Sequence, residues 1–215
     1  MLNKILLLIG IIAIIGIGVF IYSDMTAPIS TDSLGEPIDI ANDPIQTTDT
    51  ETVLQPIRFG STQNFFTVKA KYKLSGVLVS TQSYRTGFMD KLAPYDFATC
   101  WGKTPEMFPY LKFKQFARFC KFNYKMDAPV DLNYVLFHMS NNHMIPSTLN
   151  IRRALKVAKK KELVEIEGYL VYVTATTKNK GTVKWNSSTS RTDKGNGACE
   201  IIYVTRLRLG DKVYE

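Results

Sequence analysis

The clearest periodic pattern in the chain lies at residues 66–74, where apolar and polar side chains alternate. Phe, Val, Ala, Tyr and Leu occupy every second position, and one threonine and three lysines fill the positions between them. A period of two predicts a β-strand with one apolar face and one basic face. Gly76 interrupts the pattern before Val77, which indicates a bulge or a bend.

Further strands are predicted in the second half of the chain. Residues 163–173 predict a long strand that is bent at Gly168, and residues 182–186 predict a shorter one. Residues 199–209 are apolar on both faces, which is typical of a central strand. Residues 115–124 fit either a short helix or a strand, and their aromatic side chains favour the strand.

Two helix starts can be recognised from capping residues. Thr104 is followed by proline and glutamate, which predicts an N-cap residue and the first helical turn. Ser147 or Thr148 can cap a second, basic helix that runs to about Lys161. Its inward side is narrow and rich in alanine, so packing against a sheet is favoured over a position on a membrane. The residues predicted to face inward are Ile151, Ala154, Leu155 and Ala158.

These elements predict an α+β fold that is mainly β. Long bent strands, glycines at the bends and one helix between strands suit two architectures: a small bent-strand barrel of the OB-like (oligonucleotide/oligosaccharide-binding) type, or an open antiparallel sheet with one basic helix. With 45% hydrophobic residues, a chain of 215 residues can bury one core. We therefore expect one globular domain, at residues 56–215.

The N-terminus contains an uncharged run at residues 5–22, which follows Lys4. Eighteen helical residues span about 27 Å, close to the ~30 Å hydrocarbon core of a bilayer. A signal peptide is the alternative, but the run is long for one, and Met25 occupies a position where cleavage requires a small residue. Residues 1–23 therefore predict an uncleaved single-pass anchor in a bacterial inner membrane. Lys4 before the run and acidic residues after it favour a domain that faces the periplasm.

Residues 24–55 contain seven acidic residues and no lysine or arginine. Their Thr, Asp, Pro and Ser content, without any helical or strand period, predicts a disordered linker. A flexible chain of this length would hold the domain roughly 30 Å from the membrane on average.

The rest of the chain is strongly basic, because 26 of the 27 basic residues and 12 of the 19 acidic residues follow Gln55. Such an excess predicts attraction to anionic lipid or polysaccharide, and an envelope protein is a further possible partner. Charge alone would also attract nucleic acid, which we do not expect as the partner. An anionic ligand would first be sought at Lys69, Lys71 and Lys73, unless these form an ordinary solvated strand face.

The candidate site combines two polar stretches, S-N-N-H-M-I-P at residues 140–146 and W-N-S-S-T-S-R-T-D-K-G-N-G-A-C-E at residues 185–200. Their density of hydroxyl, amide and charged groups exceeds what a plain turn needs. The candidate ligand-binding residues are Asn142, His143, Trp185, Ser187, Ser188, Arg191 and Asp193.

A nucleophilic mechanism would use one of the two adjacent serines with His143 as the base. No catalytic residue is assigned, and the weak candidates are His143, Ser188, Asp193 and Glu200. In the simpler interpretation, these side chains satisfy backbone groups in turns. His138 and His143 are five residues apart and do not share a helical face, so we expect neither a metal site nor a cofactor. Three cysteines (Cys100, Cys120 and Cys199) allow at most one intramolecular disulfide.

Three segments resemble a group of uncharacterised bacterial membrane-anchored proteins: residues 140–147, residues 167–171 and residues 185–200. The Trp101-Gly102 pair belongs to the same resemblance, which implies kinship and supports the choice of site without supplying a mechanism. The sequence thus predicts a membrane-anchored cell-envelope binding or scaffolding domain for an unknown ligand. The alternative is an envelope hydrolase or nuclease that uses His143 with the loop from Ser187 to Asp193.

Overall fold

The computed structural model describes residues 9–18, 26–32, 35, 37–49, 51–177, 181–190 and 199–215. Residues 9–18 form a helix with exposed side chains. Within the described ranges, no helix has both the length and the apolarity needed to cross a bilayer. The rest of the predicted anchor, residues 1–8 and 19–23, lies outside the described residues.

Besides the helix at residues 9–18, the described part of the chain contains twelve strands and three short helices. The strands are β1 Thr31–Asp32, β2 Ile45–Thr48, β3 Ile57–Phe59, β4 Thr62–Ser83, β5 Tyr95–Cys100, β6 Leu111–Phe116, β7 Phe119–Tyr124, β8 Met139–Pro146, β9 Leu163–Thr177, β10 Gly181–Asn186, β11 Glu200–Leu209 and β12 Lys212–Tyr214. The helices after residue 100 are a 3₁₀-helix at Thr104–Tyr110, α1 at Leu132–Phe137 and α2 at Leu149–Val157. The mainly β class that the pattern predicted is confirmed.

Ten of these described strands form one mixed sheet, in the order β1-β12-β11-β8-β5-β4-β9-β10, and β2 and β3 pair with β4. β11 also pairs with β9, so five strands (β4, β5, β8, β11 and β9) make a closed circuit of neighbours. Within this circuit β8 and β11 are parallel, and the other pairs are antiparallel. The sheet is therefore mixed rather than wholly antiparallel. β6 and β7 form a separate two-stranded hairpin between β5 and β8.

β4 has the alternation that the sequence predicted, but it extends well beyond the periodic run at both ends. Val68, Ala70, Tyr72 and Leu74 are buried, whereas the side chains at 67, 69 and 71 are exposed. The predicted bend at Gly168 has a steric basis, because a Cβ there would lie 2.0 Å from the backbone oxygen of Tyr203. This glycine thus permits the close approach of β9 and β11 that completes the circuit.

α2 begins as predicted, since the Thr148 side chain accepts a hydrogen bond from Ile151 N at 3.1 Å. The predicted inward residues of α2 are all buried. The helix ends at Val157, earlier than the predicted end near Lys161, whose backbone has φ +72°. The helix predicted at Thr104 is 3₁₀, and its N-cap residue is Lys103.

Two central strands were missed by the sequence pattern. The pattern predicted no strand at residues 95–100, which form β5. The polar stretch 140–146 forms most of β8, a buried strand between β5 and β11. Residues 115–124 include strand, as favoured, but a turn at Ala117 and Arg118 divides them between β6 and β7.

The acidic segment before the domain differs from the predicted disordered linker where the structure describes it. It contributes β1 and β2 to the sheet. Ile38 is buried, Ile40 O accepts a hydrogen bond from Gly102 N, and Asp43 Oδ1 accepts one from Trp101 Nε1 at 2.8 Å. Backbone pairing and a few specific contacts order residues whose composition alone argues for disorder.

Candidate functional site

A cleft of about 920 Å³ opens beside His143 of β8. Three separate segments form its walls: the loop 87–90 that follows β4, the turn 117–119 of the β6–β7 hairpin, and residues 183–186 of β10. His143 on β8 contributes to the floor, and Cys199 contributes to the rim. Segments that are distant in sequence therefore meet around one concave surface.

The hairpin turn carries two non-glycine residues in the left-handed region, Ala117 with φ +47° and Arg118 with φ +66°. Two-residue hairpin turns of type I′ require positive φ at both central positions and usually take Asn, Asp or Gly there. A non-glycine residue in this region costs roughly 1–2 kcal/mol. The turn is held by hydrogen bonds from Asn141 Nδ2 to Arg118 O at 2.8 Å and from Arg118 N to Tyr84 Oη at 3.1 Å.

The Arg118 side chain is the centre of an ion-pair cluster. Its Nη1 donates to Asp96 Oδ1 at 2.8 Å, and its Nη2 donates to Asp90 Oδ1 at 2.5 Å and to Ala93 O at 2.9 Å. The guanidinium also lies 4.2 Å from the centre of the Tyr84 ring, within the range of a cation–π contact. These contacts fix the tip of the hairpin on β5 and on the loop before it.

Asp96 joins Arg118 to the floor of the cleft. Its side chain is fully buried, and Oδ1 also accepts from His143 Nδ1 at 2.9 Å. Because a carboxylate oxygen accepts hydrogen bonds, His143 Nδ1 is the donor in this contact. The ring of Trp185 lies 4.7 Å from that of His143. Asp96 Oδ2 is buried and has no hydrogen-bond partner among the described residues.

The cluster contains more carboxylates than guanidinium groups. Burial raises the pKa of Asp90, but the hydrogen bonds from Arg118 and from Gly87 N outweigh it, so the net pKa lies below the usual value. Burial and the neighbouring Asp96 carboxylate raise the pKa of Tyr84. One guanidinium thus faces two carboxylates, and the floor has no excess positive charge, although the domain as a whole is basic.

The predicted ligand-binding residues fall into different places. His143 and Trp185 line the cleft, as does Asn186 beside them. Asn142 is fully buried instead, and its Nδ2 donates to Phe97 O at 3.0 Å and to Thr99 Oγ1 at 2.9 Å. Neighbouring residues of a strand point to opposite faces, so Asn142 cannot share the cleft with His143.

The hydroxyl groups of Ser187 and Ser188 form hydrogen bonds with nearby backbone groups. Ser187 Oγ donates to Ser188 O and accepts from Ile201 N at 2.9 Å, and Ser188 Oγ donates to Ser190 O. Within the described ranges, neither hydroxyl forms a hydrogen bond with His143, so the arrangement lacks the nucleophile–base contact that a serine mechanism requires. Glu200 is buried at the start of β11. Arg191 and Asp193 lie outside the described residues.

The remaining metal and thiol candidates are structural in character. His138 stacks on Tyr134, and the two ring centres are 3.7 Å apart. No group of three His, Cys, Asp or Glu side chains in the described part of the chain has a metal-binding arrangement. All three cysteines are free thiols. Burial raises the pKa of Cys120 to about 12, so this thiol is not a nucleophile at neutral pH.

Asp90, Asp96 and Arg118 were missed by the sequence analysis. A signal for Asp96 was present, because it is the only charged residue between Leu92 and Gly102. A lone carboxylate in an apolar run needs a buried partner. Nothing local identified Arg118 as that partner, since the two residues meet only through the hairpin.

The chain matches no protein-family model, and neither a curated protein nor a solved structure matches it.

Proposed function

We propose that the domain is an OB-like barrel that binds a ligand in the cleft. Numbered from β4 along the circuit, the strands follow the order 1-2-3-5-4-1, with the third and fifth parallel and a helix between the third and fourth. A five-stranded barrel of the OB type is a closed or partly open array of this kind. The strand order and the placement of α2 support this interpretation over an open sheet.

The position of the cleft supports the binding role. OB domains bind ligands over their second and third strands, between the loop that joins strands one and two and the loop that joins strands four and five. Here those strands are β5 and β8, and the two loops correspond to residues 84–94 and to the region around β10. Both loop regions line the cleft.

The lining favours an uncharged, ring-containing ligand. Phe88, Phe119 and Trp185 offer aromatic surface, while Asn186 and His143 offer hydrogen-bonding groups. Arg118 is paired with two carboxylates, so its charge is not available to a polyanion, and Lys184 is the one lysine of the described lining. Sugar rings carry apolar faces and hydroxyl edges that suit such a lining. We propose an uncharged segment of an envelope polysaccharide as the ligand.

The second part of the proposal is the location. We infer that the N-terminal segment anchors the chain in a bacterial inner membrane, with the domain in the periplasm. The uncharged run 5–22 and the helix over residues 9–18 support this inference. Carbonate washing should leave the full chain in the membrane fraction, and protease added to spheroplasts should digest the domain. A soluble mature form, or protection from protease, would refute it.

Intrinsic fluorescence gives a direct test of ligand binding. The chain has two tryptophans, of which Trp101 is fully buried and Trp185 lines the cleft. Titration of the detergent-solubilised full chain with neutral N-acetylglucosamine oligomers should change the emission in a saturable way. The variant Trp185→Phe should lose most of that change, whereas the matched variant Trp101→Phe should retain it.

Three probes separate the alternatives. Acidic oligosaccharides and single-stranded oligonucleotides should bind the cleft more weakly than the neutral oligomer, because the Arg118 guanidinium is already paired with Asp90 and Asp96. Stronger binding of a polyanion that Trp185→Phe abolishes would overturn the assignment of ligand class. Turnover of any of these probes that depends on His143 would instead favour the hydrolase alternative.

A further inference from the structure

The outward face of the β6–β7 hairpin is basic and aromatic. The register places Lys114 opposite Lys121 and Phe116 opposite Phe119. All four side chains are exposed, as is that of Lys112. Side chains directly opposite one another on a strand pair lie close together, and like charges in that arrangement are destabilising. The hairpin therefore carries a repulsion that an anionic partner would relieve.

Some basic side chains of the domain form ion pairs, and others do not. Lys73 and Arg206 form ion pairs with Glu165 and Glu167 at 2.7–3.2 Å. By contrast, none of the hairpin lysines has a carboxylate within ion-pair distance among the described residues. Their charge is therefore not compensated by ion pairs within this part of the protein.

A groove of about 240 Å³ lies at the base of the same hairpin. Three lysines line it: Lys112, Lys160 and Lys161. The groove is otherwise lined by apolar side chains, which are Val77, Leu78, Val79, Phe108, Leu111 and Phe113. An apolar slot bordered by three ammonium groups is complementary to an anionic amphiphile, which carries a negative headgroup on a hydrocarbon chain.

Large apolar side chains near the hairpin are also exposed. Phe116 is 70% exposed and Met126 is 98% exposed, and Phe119 and Tyr124 are each close to half exposed. Exposed aromatic and apolar groups mixed with lysines are typical of surfaces that lie in the interface of an anionic membrane. A polyanion without hydrocarbon would leave both these side chains and the groove unused.

We propose that the outward hairpin face and the groove bind the anionic phospholipid surface of the membrane that holds the N-terminal segment. This inference rests on the proposed anchor and adds a second, reversible contact. The domain is within reach, because Ile29 is tied to α2 by hydrogen bonds with Asn150 at 2.7 and 2.8 Å. Seven residues from Tyr22 to Ile29 span at most about 25 Å when fully extended.

Bromolipid quenching in vesicles tests the contact with the full chain. Phe116→Trp places an indole on the hairpin, and the parent chain provides the background from Trp101 and Trp185. The full chain is reconstituted in brominated phosphatidylcholine vesicles with or without phosphatidylglycerol. We expect the added emission to be quenched at least twofold in the anionic vesicles and little in the neutral ones. High salt should reverse the quenching, since it screens exposed charges.

Charge reversal provides the matched control. Lys114→Glu with Lys121→Glu should abolish the quenching in anionic vesicles. Lys69→Glu with Lys71→Glu makes the same change in net charge on the exposed side of β4 and should preserve it. Equal quenching in neutral vesicles, or equal loss in both double variants, would overturn the proposal.

Two further outcomes separate this inference from its premise and from nucleic-acid binding. A chain that stays in carbonate-washed vesicles while the hairpin indole is unquenched refutes the hairpin contact alone. A chain that carbonate removes from the vesicles refutes the anchor. Binding of the hairpin to anionic lipid can then still be measured by adding anionic brominated vesicles to the free chain. Hairpin-dependent binding of single-stranded DNA without any lipid quenching would show that the surface serves a nucleic acid instead.

Discussion

Replacement of Arg118 by alanine should destabilise the domain strongly, because it leaves the buried Asp96 carboxylate with fewer partners. Asp96 is fully buried, and Arg118 Nη1 supplies one of the two hydrogen bonds to its Oδ1. Breaking a buried ion pair from one side typically costs about 3–5 kcal/mol. His143 still donates to Asp96, and Gly87 N still donates to Asp90 at 2.5 Å, so we expect a value near the lower limit.

The expected loss translates into a measurable shift in melting temperature. A domain of this size loses about 2–4 °C per kcal/mol, so a loss of roughly 3 kcal/mol should lower the melting temperature by about 6–12 °C. Arg118→Gly removes the same guanidinium but relieves the left-handed backbone. That relief of roughly 1–2 kcal/mol exceeds the backbone entropy cost of glycine, roughly 0.5–1 kcal/mol. Arg118→Gly should therefore be more stable than Arg118→Ala.

Circular dichroism melting and urea unfolding of the three proteins measure these differences. Asp96→Asn should be less destabilising in the Arg118→Ala background than in the wild type, since no uncompensated charge is then stranded. The reasoning is refuted if Arg118→Ala melts within about 2 °C of the wild type, because the expected decrease in melting temperature is several degrees. Additive losses in the Asp96 and Arg118 variants would refute the coupling between them.

Three further outcomes follow from the structure. The lowered pKa of Asp90 means that its carboxylate stabilises the fold above about pH 4 and that this contribution is lost as the pH falls through the native pKa. In Asp90→Asn, the free energy of unfolding measured with urea should therefore fall less steeply as the pH is lowered below about 4. Gly168→Ala puts a Cβ 2.0 Å from a backbone oxygen and should lower the free energy of unfolding by more than about 3 kcal/mol. Gly60 has φ +58° but open space around it, so Gly60→Ala should lower it by only roughly 1–2 kcal/mol. Similar melting temperatures for the two variants would contradict this difference. Asn150→Ala removes both hydrogen bonds to Ile29 and should speed limited proteolysis before β2 with little change in melting temperature, and unchanged cleavage would argue against the tie.

Local patterns predicted those parts of the fold that local chemistry determines. The alternation in β4 was readable because one face of that strand is buried and the other meets solvent. The cap at Thr148 was readable because a side-chain oxygen satisfies a nearby N–H. The bend at Gly168 was recognised, but its cause, the backbone of Tyr203, lies on a strand that the sequence does not place beside it.

β8 was missed because its buried polar side chains form hydrogen bonds with one another and with residues of β5. Ser140 donates to Asn142, and Asn142 donates to Thr99 on β5, so amide and hydroxyl groups can be buried without loss. A sequence gives no sign that such partners exist until the strands are paired. The stretch was therefore interpreted as a polar site, although only one of its two faces reaches the cleft.

The candidate site residues lie in different parts of the structure. His143 and Trp185 were among the candidates and do line the cleft, while Arg191 and Asp193 lie outside the described residues. The ion-pair cluster could not be predicted, because Arg118 reaches Asp96 through a hairpin whose docking is a tertiary event. The positive φ values of its turn residues are visible only in the folded chain.

The pairing of β1 and β2 with the sheet has a consequence for fragments of this protein. β5 reaches β4 only from Val77 onward, and β2 occupies the same edge of β4 at residues 70–73. β1 similarly covers the outer edge of β12. An uncovered strand edge presents unpaired N–H and C=O groups to other chains and promotes aggregation. A fragment that begins at Pro56, where composition alone places the domain boundary, would uncover two such edges and should self-associate, whereas one that begins before residue 29 should remain monodisperse.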